Sequence, residues 1–336
     1  MKSLKIVKDD NMINKLLGIY IPTYNRAREL NESLREFVKQ CKPYRYPIYI
    51  SDNGSKDGTY KIVESLQKTY PYIYYSKSTT NEGYAVNVSK VLKMGNTKYV
   101  YLASDDDKIM PNAISRITKE LKTGKYSYIQ VNARVYSHDL RNIIKERTIS
   151  KYTDEEYGKN DYSKVLLNNK GTDYQFFMSS IILRRDIFEK ELKRLNPHAP
   201  NMDFIHTMCF YNGIVNMNGK LISKPLIMIR GGNWGYSSRV MEIYFISEEI
   251  ALRYIRPRYS SLAIAEIRNR PLFVLLIPVV IDRLSNNSDP DTNYKKYIKE
   301  NTYINNATKK VLWLVMHMPI PILKILYNTY KIIKRY

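Results

Sequence analysis

Short apolar runs alternate with amphipathic segments over the first third of the chain. The apolar runs are typical of buried strands, and the segments between them place apolar residues at the spacing of one helix face. The pattern predicts strands at residues 17–21, 48–50, 72–75 and 99–103, and helices at residues 28–40, 57–69 and 84–94. Strands that alternate with helices of this length indicate βαβ units and a mostly parallel sheet.

Beyond residue 125 the apolar pattern is less regular. It predicts strands at residues 126–135 and 176–183, and a further strand that ends at 227–229 before a glycine-rich loop. The last hundred residues are helical and basic. Their apolar stretch at 270–281 is interrupted by Pro278 and is too short to span a bilayer.

A polar segment follows each of the first four predicted strands. Ligands of such sheets bind outside the carboxyl ends of the strands, where these segments come together. We therefore expect a binding site built from residues 22–26, residues 51–59, the Asn81-Glu82-Gly83 segment and residues 104–107.

The acidic triplet Asp105-Asp106-Asp107 carries the clearest chemical signal. Three adjacent carboxylates repel one another, and a bound cation offsets that cost. Oxygen ligands suit Mg²⁺ or Mn²⁺, which use one or two carboxylates together with the phosphates of a substrate. The alternative is a solvated acidic turn before a helix, whose N-terminus favours negative charge. The position of the triplet after the fourth predicted strand favours the metal site.

Composition limits the partners and the compartment. The 336 residues suggest one large domain or two modest ones, and 54 Lys and Arg against 32 Asp and Glu give a net charge of +22. That charge favours an anionic partner, which is nucleic acid, anionic lipid or a phosphorylated substrate. Cys41 and Cys209 are too few for a disulfide framework or a zinc site, so we expect the reducing, cytoplasmic side of the membrane.

The four polar segments also occur, in this order and at about this spacing, in one known family. Residues 21–26, 51–59, 81–83 and 105–111 resemble the inverting family 2 glycosyltransferases, among them bacterial transferases that build surface polysaccharides. The resemblance implies an α/β GT-A fold, in which a Rossmann-like nucleotide-binding sheet adjoins an acceptor-side subdomain. It further implies a nucleotide diphosphate sugar as donor, Mn²⁺ or Mg²⁺ as cofactor, and inversion at the anomeric carbon.

The resemblance assigns roles at the donor site. Thr23 and Asp52 are expected to hold the nucleoside, and Asp105 is expected near the ribose. The other positions expected at the donor are Pro22, Tyr24, Asn25, Arg26, Asn53, Gly54, Ser55, Asn81, Gly83, Asn87, Ser104 and Asp106.

The metal ligand depends on the register of the acidic motif. In one register Asp107 binds the metal. Counting back from Pro111, the motif instead starts at Ser104, and Asp106 becomes the metal ligand with Asp107 as its neighbour. Both residues are therefore candidate ligands.

The acceptor side supplies a candidate base and a candidate phosphate-binding loop. An inverting transferase needs a carboxylate to deprotonate the acceptor hydroxyl, and by resemblance this is Asp203, although Met202 stands where the family has an acid. The alternative for Asp203 is a helix N-cap. In the loop after residue 229, Arg230 is placed to meet phosphate and Trp234 to stack on a sugar, and the alternative is an ordinary connection.

These segments divide the chain. We predict a catalytic domain over 12–235, with a nucleotide-sugar half at about 12–130 and an acceptor half at about 131–235, followed by a basic helical region over 236–336. Residues 309–336 contain no acid and place basic and apolar residues on different helix faces, which predicts binding to an anionic membrane. The alternative is that these helices pack on the catalytic domain or on a second copy of the chain.

The predicted function is metal-dependent transfer of one sugar to a hydroxyl of a cell-surface glycan or of its lipid-linked precursor. The protein is then peripheral on the inner face of the plasma membrane. A nucleotidyltransferase is one alternative, but it is expected to carry a glycine-rich basic loop after the first strand. A non-enzymatic nucleic-acid-binding protein is the other, and it gives no reason for the acidic triplet. We therefore expect no nucleic acid partner.

Overall fold

The protein is built around one ten-stranded mixed sheet with helices on both faces. The computed structural model describes residues 13–168, 177–231, 237–269, 272–285, 289–301 and 304–333. The strands are β1 (Leu17–Thr23), β2 (Ile48–Asp52), β3 (Ile73–Lys77), β4 (Tyr99–Leu102), β5 (Lys108–Ile109), β6 (Tyr128–Tyr136), β7 (Ile143–Lys145), β8 (Glu155–Tyr157), β9 (Ile181–Arg184) and β10 (Gly219–Arg230).

Fourteen α-helices are described around this sheet. They are α1 (Ala27–Cys41), α2 (Thr59–Gln67), α3 (Tyr84–Lys93), α4 (Ala113–Lys122), α5 (Tyr162–Leu167), α6 (Arg185–Leu192), α7 (Ile205–Gly213), α8 (Val240–Glu242), α9 (Glu248–Ile255), α10 (Ser261–Arg268), α11 (Leu272–Ser285), α12 (Pro290–Asn293), α13 (Asn306–Met316) and α14 (Ile320–Ile333). Short 3₁₀ turns and two π-helical turns, Ile243–Ser247 and Tyr294–Lys299, connect some of them.

The sheet order is β3-β2-β1-β4-β9-β6-β10-β5, with β7 on β6 and β8 on β10. The first four strands in this order are parallel, as the sequence predicts. Beyond them β9 runs antiparallel to β4 and β6, and β10 is parallel to β6 but antiparallel to β5 and β8. The strand predicted over 176–183 begins only at Ile181, after a 3₁₀ turn at Met178–Ser180, and residue 176 lies outside the described residues.

Alternation along β1 shows why this sheet is buried on both faces. Ile19 and Ile21 join the core formed with α1 and α4, whereas Tyr20 joins the core formed with α3 and α7. Strands covered on both faces are apolar at almost every position, which is why residues 17–21 form a continuous apolar run.

The helices after residue 236 pack in two groups. Residues of α9 and α10, among them Leu252 and Ile264, share the core of the sheet and α7. Val279 of α11 and Leu312 and Met316 of α13 belong to a separate core with the segment around Val240. Among the described helices, no single one is long and apolar enough to cross a membrane; α13 and the first part of α14 pass that test only as a pair, bent by 109°.

Candidate active site at the carboxyl edge of the sheet

The loops after β1 and β4 meet at the carboxyl edge of the sheet, because the two strands are neighbours and parallel. Thr23 Oγ1 donates a 2.8 Å hydrogen bond to Oδ2 of Asp105, and both side chains are buried. The sequence prediction that these two segments come together is thus fulfilled by a direct side-chain contact.

Arg26 partly neutralises the acidic triplet. Its Nη1 atom lies 3.0 Å from Oδ1 of Asp105 and 2.7 Å from Oδ2 of Asp106. Ser104 Oγ donates to the other oxygen of Asp106. The positive charge that offsets two of the three carboxylates therefore comes from the loop after β1.

Asp107 is as buried as Asp105 and contacts the other half of the sheet. Ser179 Oγ donates a 2.8 Å bond to its Oδ2, and the backbone N–H of Arg230 lies 3.3 Å from Oδ1. Burial, with a contribution from Asp106, raises the pKa of Asp107 well above its ordinary value. Burial also raises the pKa of Asp105 to about 6, although Arg26 opposes that rise.

This donor set fits a metal that is held jointly with a nucleotide. Within the described residues no group of three or more His, Cys, Asp or Glu side chains converges on one point. Mg²⁺ and Mn²⁺ at nucleotide sites need only one or two carboxylates, because phosphate oxygens and water complete the coordination. Asp106 and Asp107 are the adjacent carboxylates that could hold such an ion, and a buried carboxyl with a raised pKa would gain from a nearby cation.

The loop after β2 is held by the buried carboxylate of Asp52. Its Oδ1 accepts a 2.7 Å bond from the N–H of Ser55, and its Oδ2 accepts from the hydroxyl of Tyr75. Gly54 has a φ of 86°, and a Cβ there would lie 2.8 Å from the carbonyl carbon of Thr80. Glycine is therefore required at this turn, which presses against the loop that follows β3.

Amide side chains connect the remaining loops. Asn53 Nδ2 donates to Asn81 Oδ1 at 2.8 Å and to the carbonyl of Gly83 at 3.1 Å. Asn87 Nδ2 lies 3.3 Å from the carbonyl of Thr23, and Asn87 Oδ1 is buried with no hydrogen-bond partner among the described residues. These contacts gather the segments 22–26, 51–55 and 81–87 at one edge of the sheet.

The outer part of the first loop is more open. Asn25 has a φ of 50°, and its N–H donates a 2.8 Å bond to Ser55 Oγ. Tyr24 is exposed, whereas Pro22 is buried in β1 beside Ser51 of β2. Tyr24 is thus the aromatic ring of this loop that solvent reaches.

Asp203, the candidate base, lies just before α7. The N-cap residue of α7 is Phe204 and no side chain caps that helix, so the alternative that Asp203 is a cap is wrong. The carboxylate instead contacts Arg239 and Ser247. Burial raises the pKa of Tyr84, and the charges of Asp203 and Asp105 both add to that rise.

Arg230 lies beside the triplet, but its side chain is turned to protein groups. The buried guanidinium contacts Glu32 Oε2 at 2.8 Å, the carbonyl of His138 at 2.6 Å and the carbonyl of Asp106 at 3.2 Å. A role for Arg230 at a diphosphate stays a prediction. Trp234 lies outside the described residues.

Three residues that the sequence analysis did not single out complete the site. Tyr75 lies in the middle of β3, and its hydroxyl bonds the carboxylate of Asp52 on the neighbouring strand β2. Ser179 bonds Asp107, and Arg239 bonds Asp203. Neither stands next to a motif in the sequence, so no local signal points to it.

The comparisons with known proteins agree with this geometry. The profile of glycosyl transferase family 2 matches residues 18–192, just over half of the chain. The chain therefore belongs to glycosyltransferase family 2, and it has the GT-A fold. It is a glycosyltransferase similar to transferases of bacterial polysaccharide biosynthesis, and the nucleotidyltransferase alternative is wrong.

Its relatives are distant. The chain is 24% identical over 240 residues to abequosyltransferase RfbV of Salmonella typhimurium, covering 67% of this chain and 69% of that protein. It is 24% identical over 192 residues to the GalNAc(5)-diNAcBac-PP-undecaprenol beta-1,3-glucosyltransferase of Campylobacter jejuni, covering 52% of this chain and 60% of that protein.

Two solved structures share the fold. Residues 1–349 of Staphylococcus aureus TarS in complex with UDP-GlcNAc superpose with a TM-score of 0.63 at 15% identity, covering 94% of this chain and 91% of that one. The mannosyltransferase PcManGT of Pyrobaculum calidifontis, in complex with GDP-Man and Mn²⁺, gives a TM-score of 0.53 at 16% identity, covering 98% and 91%.

Proposed function

We propose that this chain transfers a sugar from a nucleotide diphosphate sugar to a hydroxyl of a cell-surface glycan or of its lipid-linked precursor, with inversion at the anomeric carbon. The observation that carries the proposal is the clustering of Thr23, Arg26 and the acidic triplet at the carboxyl edge of β1 and β4. The relatives support the substrate class, because their names include a transferase that acts on a glycan linked to undecaprenol diphosphate.

The donor side of the reaction uses groups at this edge. Asp52 and Thr23 are proposed to hold the nucleoside. Asn87 Oδ1, which is buried with no hydrogen-bond partner among the described residues, is a further acceptor close to Thr23. Asp106 and Asp107 would hold Mn²⁺ or Mg²⁺ together with the donor. A divalent cation bound there supplies Lewis-acid stabilisation of the diphosphate. Arg26 adds a second positive charge at the same place.

The acceptor side uses Asp203 as general base. Its carboxylate takes the proton of the acceptor hydroxyl while that oxygen forms a bond to the anomeric carbon. The bond from the anomeric carbon to the diphosphate oxygen breaks on the opposite face, and the diphosphate leaves with the electron pair. Because the acceptor oxygen attacks the face opposite to the leaving diphosphate, the configuration at the anomeric carbon is inverted.

The C-terminal helices are proposed to bind an anionic membrane surface from the cytoplasmic side. One side of α13 packs on α11 through Leu312 and Met316, whereas its other side and α14 leave large apolar side chains exposed. These are Trp313, Leu314, Ile322, Ile325 and Leu326. Lys310 and Lys324 lie among them, and a basic, apolar surface suits an interface of anionic lipid.

A panel of nucleotide sugars tests the enzymatic part. UDP-GlcNAc, UDP-glucose, UDP-galactose and GDP-mannose are each assayed with MnCl₂ or MgCl₂, and with EDTA as control, for release of the nucleoside diphosphate and for protection against thermal unfolding. We expect one donor to be hydrolysed and to raise the melting temperature only with metal. Folded protein that hydrolyses its donor equally well in EDTA would contradict the metal-dependent mechanism.

A further inference from the structure

Asp203 is held by the chain segment that follows the acceptor half. Nη1 of Arg239 lies 3.1 Å from Oδ1 of Asp203, and Nη2 lies 3.1 Å from Oδ2. This is the bidentate geometry of a strong arginine–carboxylate pair. Ser247 Oγ donates a third bond, of 2.7 Å, to Oδ2. Both partners come from the region that the sequence assigns to the basic helices, so that region reaches the candidate base.

Both partners are themselves fixed in place. Nε of Arg239 lies 3.0 Å from Oε2 of Glu242, so the guanidinium is anchored between two carboxylates. Ser247 is fully buried at the end of a π-helical turn that leads directly into α9. Helix α9 packs on α7, the helix that begins just after Asp203. The orientation of the Asp203 carboxylate is therefore set by elements that already pack together.

The three bonds divide unequally between the two carboxylate oxygens. Among the described residues, Oδ2 accepts from Arg239 and Ser247, whereas Oδ1 accepts from Arg239 alone. An ionised carboxylate has about two acceptor positions on each oxygen, so Oδ1 keeps one for a further donor. We propose that Oδ1 of Asp203 takes the proton of the acceptor hydroxyl, and that Arg239 is the positioning residue that directs it. This inference rests on the proposed role of Asp203 as general base.

Arg239 also supplies the charge beside the base. Its guanidinium is the positive group that contacts the Asp203 carboxylate. Among the described residues, Glu242 lies beyond the guanidinium, and the Tyr84 hydroxyl and His206 Nδ1 lie 3.0 Å apart. Burial and then the charge of Asp203 raise the pKa of Tyr84, so the phenol stays neutral. Arg239 is therefore the cation in direct contact with the carboxylate.

Three variants of the full chain test the positioning role. Arg239→Met removes both the fork and the charge, Arg239→Lys keeps the charge, and Arg253→Met is the matched control. Arg253 is an exposed arginine of the same region that pairs with Glu249 at 2.8 Å and does not contact Asp203. Each is assayed for metal-dependent hydrolysis of whichever sugar nucleotide of the panel turns over fastest, over a range of donor concentrations that gives kcat and KM separately.

We expect Arg239→Met to lower kcat by about 10- to 100-fold, since the reactive oxygen is no longer directed, with the KM for the donor nearly unchanged. Arg239→Lys keeps the charge and a donor, so it should restore part of kcat, and Arg253→Met should match the wild type. A structural role alone would lower the yield of folded protein and leave kcat per folded molecule unchanged.

Two further variants keep the inference separate from the proposed function. Asp203→Asn tests the base itself, and full activity in that variant overturns the proposed function. If Asp203→Asn is inactive but folded Arg239→Met keeps the wild-type kcat, only the positioning role is overturned; a gain in kcat overturns it as well. If Arg239→Met fails to fold, Ser247→Ala tests whether the bonds to Asp203 position its carboxylate, because this variant removes one bond to Oδ2 without changing the charge. A loss of a few-fold in kcat at constant KM supports the inference, and unchanged kcat overturns it.

Discussion

Nη1 of Arg26 lies 3.0 Å from Oδ1 of Asp105, so a cation from the loop after β1 contacts a carboxylate from the loop after β4. The charge of Arg26 does not fully offset the cost of burying the ionised Asp105 carboxylate. Burial raises the pKa of Asp105 to about 6, with Asp106 adding to the rise and Arg26 opposing it. The site thus keeps a carboxyl that is costly to ionise where the donor diphosphate is expected, which is the usual compromise between stability and function.

Asp105→Asn should change how stability depends on pH. The pKa of Asp105 in the folded protein lies above its value of about 4 in the unfolded chain. The protonated carboxyl therefore stabilises the fold fully below about pH 4, and this stabilisation is lost as the pH rises through about 6. The free energy of unfolding of the variant, minus that of the wild type, should therefore rise by about 1–3 kcal/mol from about pH 4.5 to 7.5. Urea unfolding without metal measures this.

The matched control for Asp105→Asn is Glu64→Gln, which changes an exposed carboxylate on α2. Its difference from the wild type should vary much less over the same pH range. If the difference for Asp105→Asn were equally constant, Asp105 would not be the titrating group.

Asp107→Asn should nearly abolish metal-dependent turnover while the protein stays folded. The substitution removes a candidate metal ligand but keeps a side chain of the same size beside Ser179. Stabilisation by MnCl₂ plus UDP in a thermal unfolding assay should disappear with it. Wild-type activity at saturating Mn²⁺ without chelator would show that the metal assignment is wrong.

Asp106→Asn decides the register of the acidic motif. A smaller loss of turnover in Asp106→Asn than in Asp107→Asn favours Asp107 as the ligand, and a larger loss favours the register that starts at Ser104.

Asp203→Asn should bind the donor normally but lose transfer by about 10²–10⁴-fold, because the carboxylate acts on the acceptor. Isothermal titration with the donor in the presence of metal, compared with turnover, separates the two effects. Asp139→Asn, on an exposed loop, is the control. Parallel losses of donor affinity and rate would indicate that Asp203 supports the structure of the site rather than the chemistry.

Leu314→Ser combined with Ile325→Ser should weaken binding to vesicles that contain phosphatidylglycerol. The two side chains are 58% and 65% exposed, and burial of each in lipid contributes about 2 kcal/mol. Leu262→Ser, at a 71% exposed position on α10, is the control and should bind as the wild type does. Equal binding of all three proteins would contradict the membrane assignment.

Salt tests the basic part of the same surface. Each lysine near an anionic membrane adds about 1 kcal/mol, and salt screens that attraction. The wild type should therefore leave anionic vesicles partly at high salt and bind neutral vesicles weakly. Truncation before Lys309 is a poor substitute for the point variants, because it removes the buried residues Leu312 and Met316 and exposes the core around them.

Local sequence pattern was sufficient for β1 to β4 and for the helices α1 to α3 between them, but it did not predict β5 or α4. The continuous apolar run at 17–21 and the helical spacing of Leu30, Leu34 and Phe37 predicted β1 and α1 with ends within two residues of the structure. The three-residue strands β7 and β8 were not predicted, since they lack an apolar run and exist only through pairing with β6 and β10. The mixed direction of the later strands likewise depends on connections that no short segment encodes.

The sequence by itself determined the chemistry available to this protein: three adjacent carboxylates after an apolar strand, polar segments after its neighbours, and a basic helical end. Only the tertiary structure decided how that chemistry is arranged. Arg26 neutralises Asp105, Ser179 bonds Asp107, and Arg239 holds Asp203. In each pair the two residues are far apart in the chain or lie on different elements. Their contacts follow from how strands and helices pack, which depends on long-range burial rather than on any local pattern of residues.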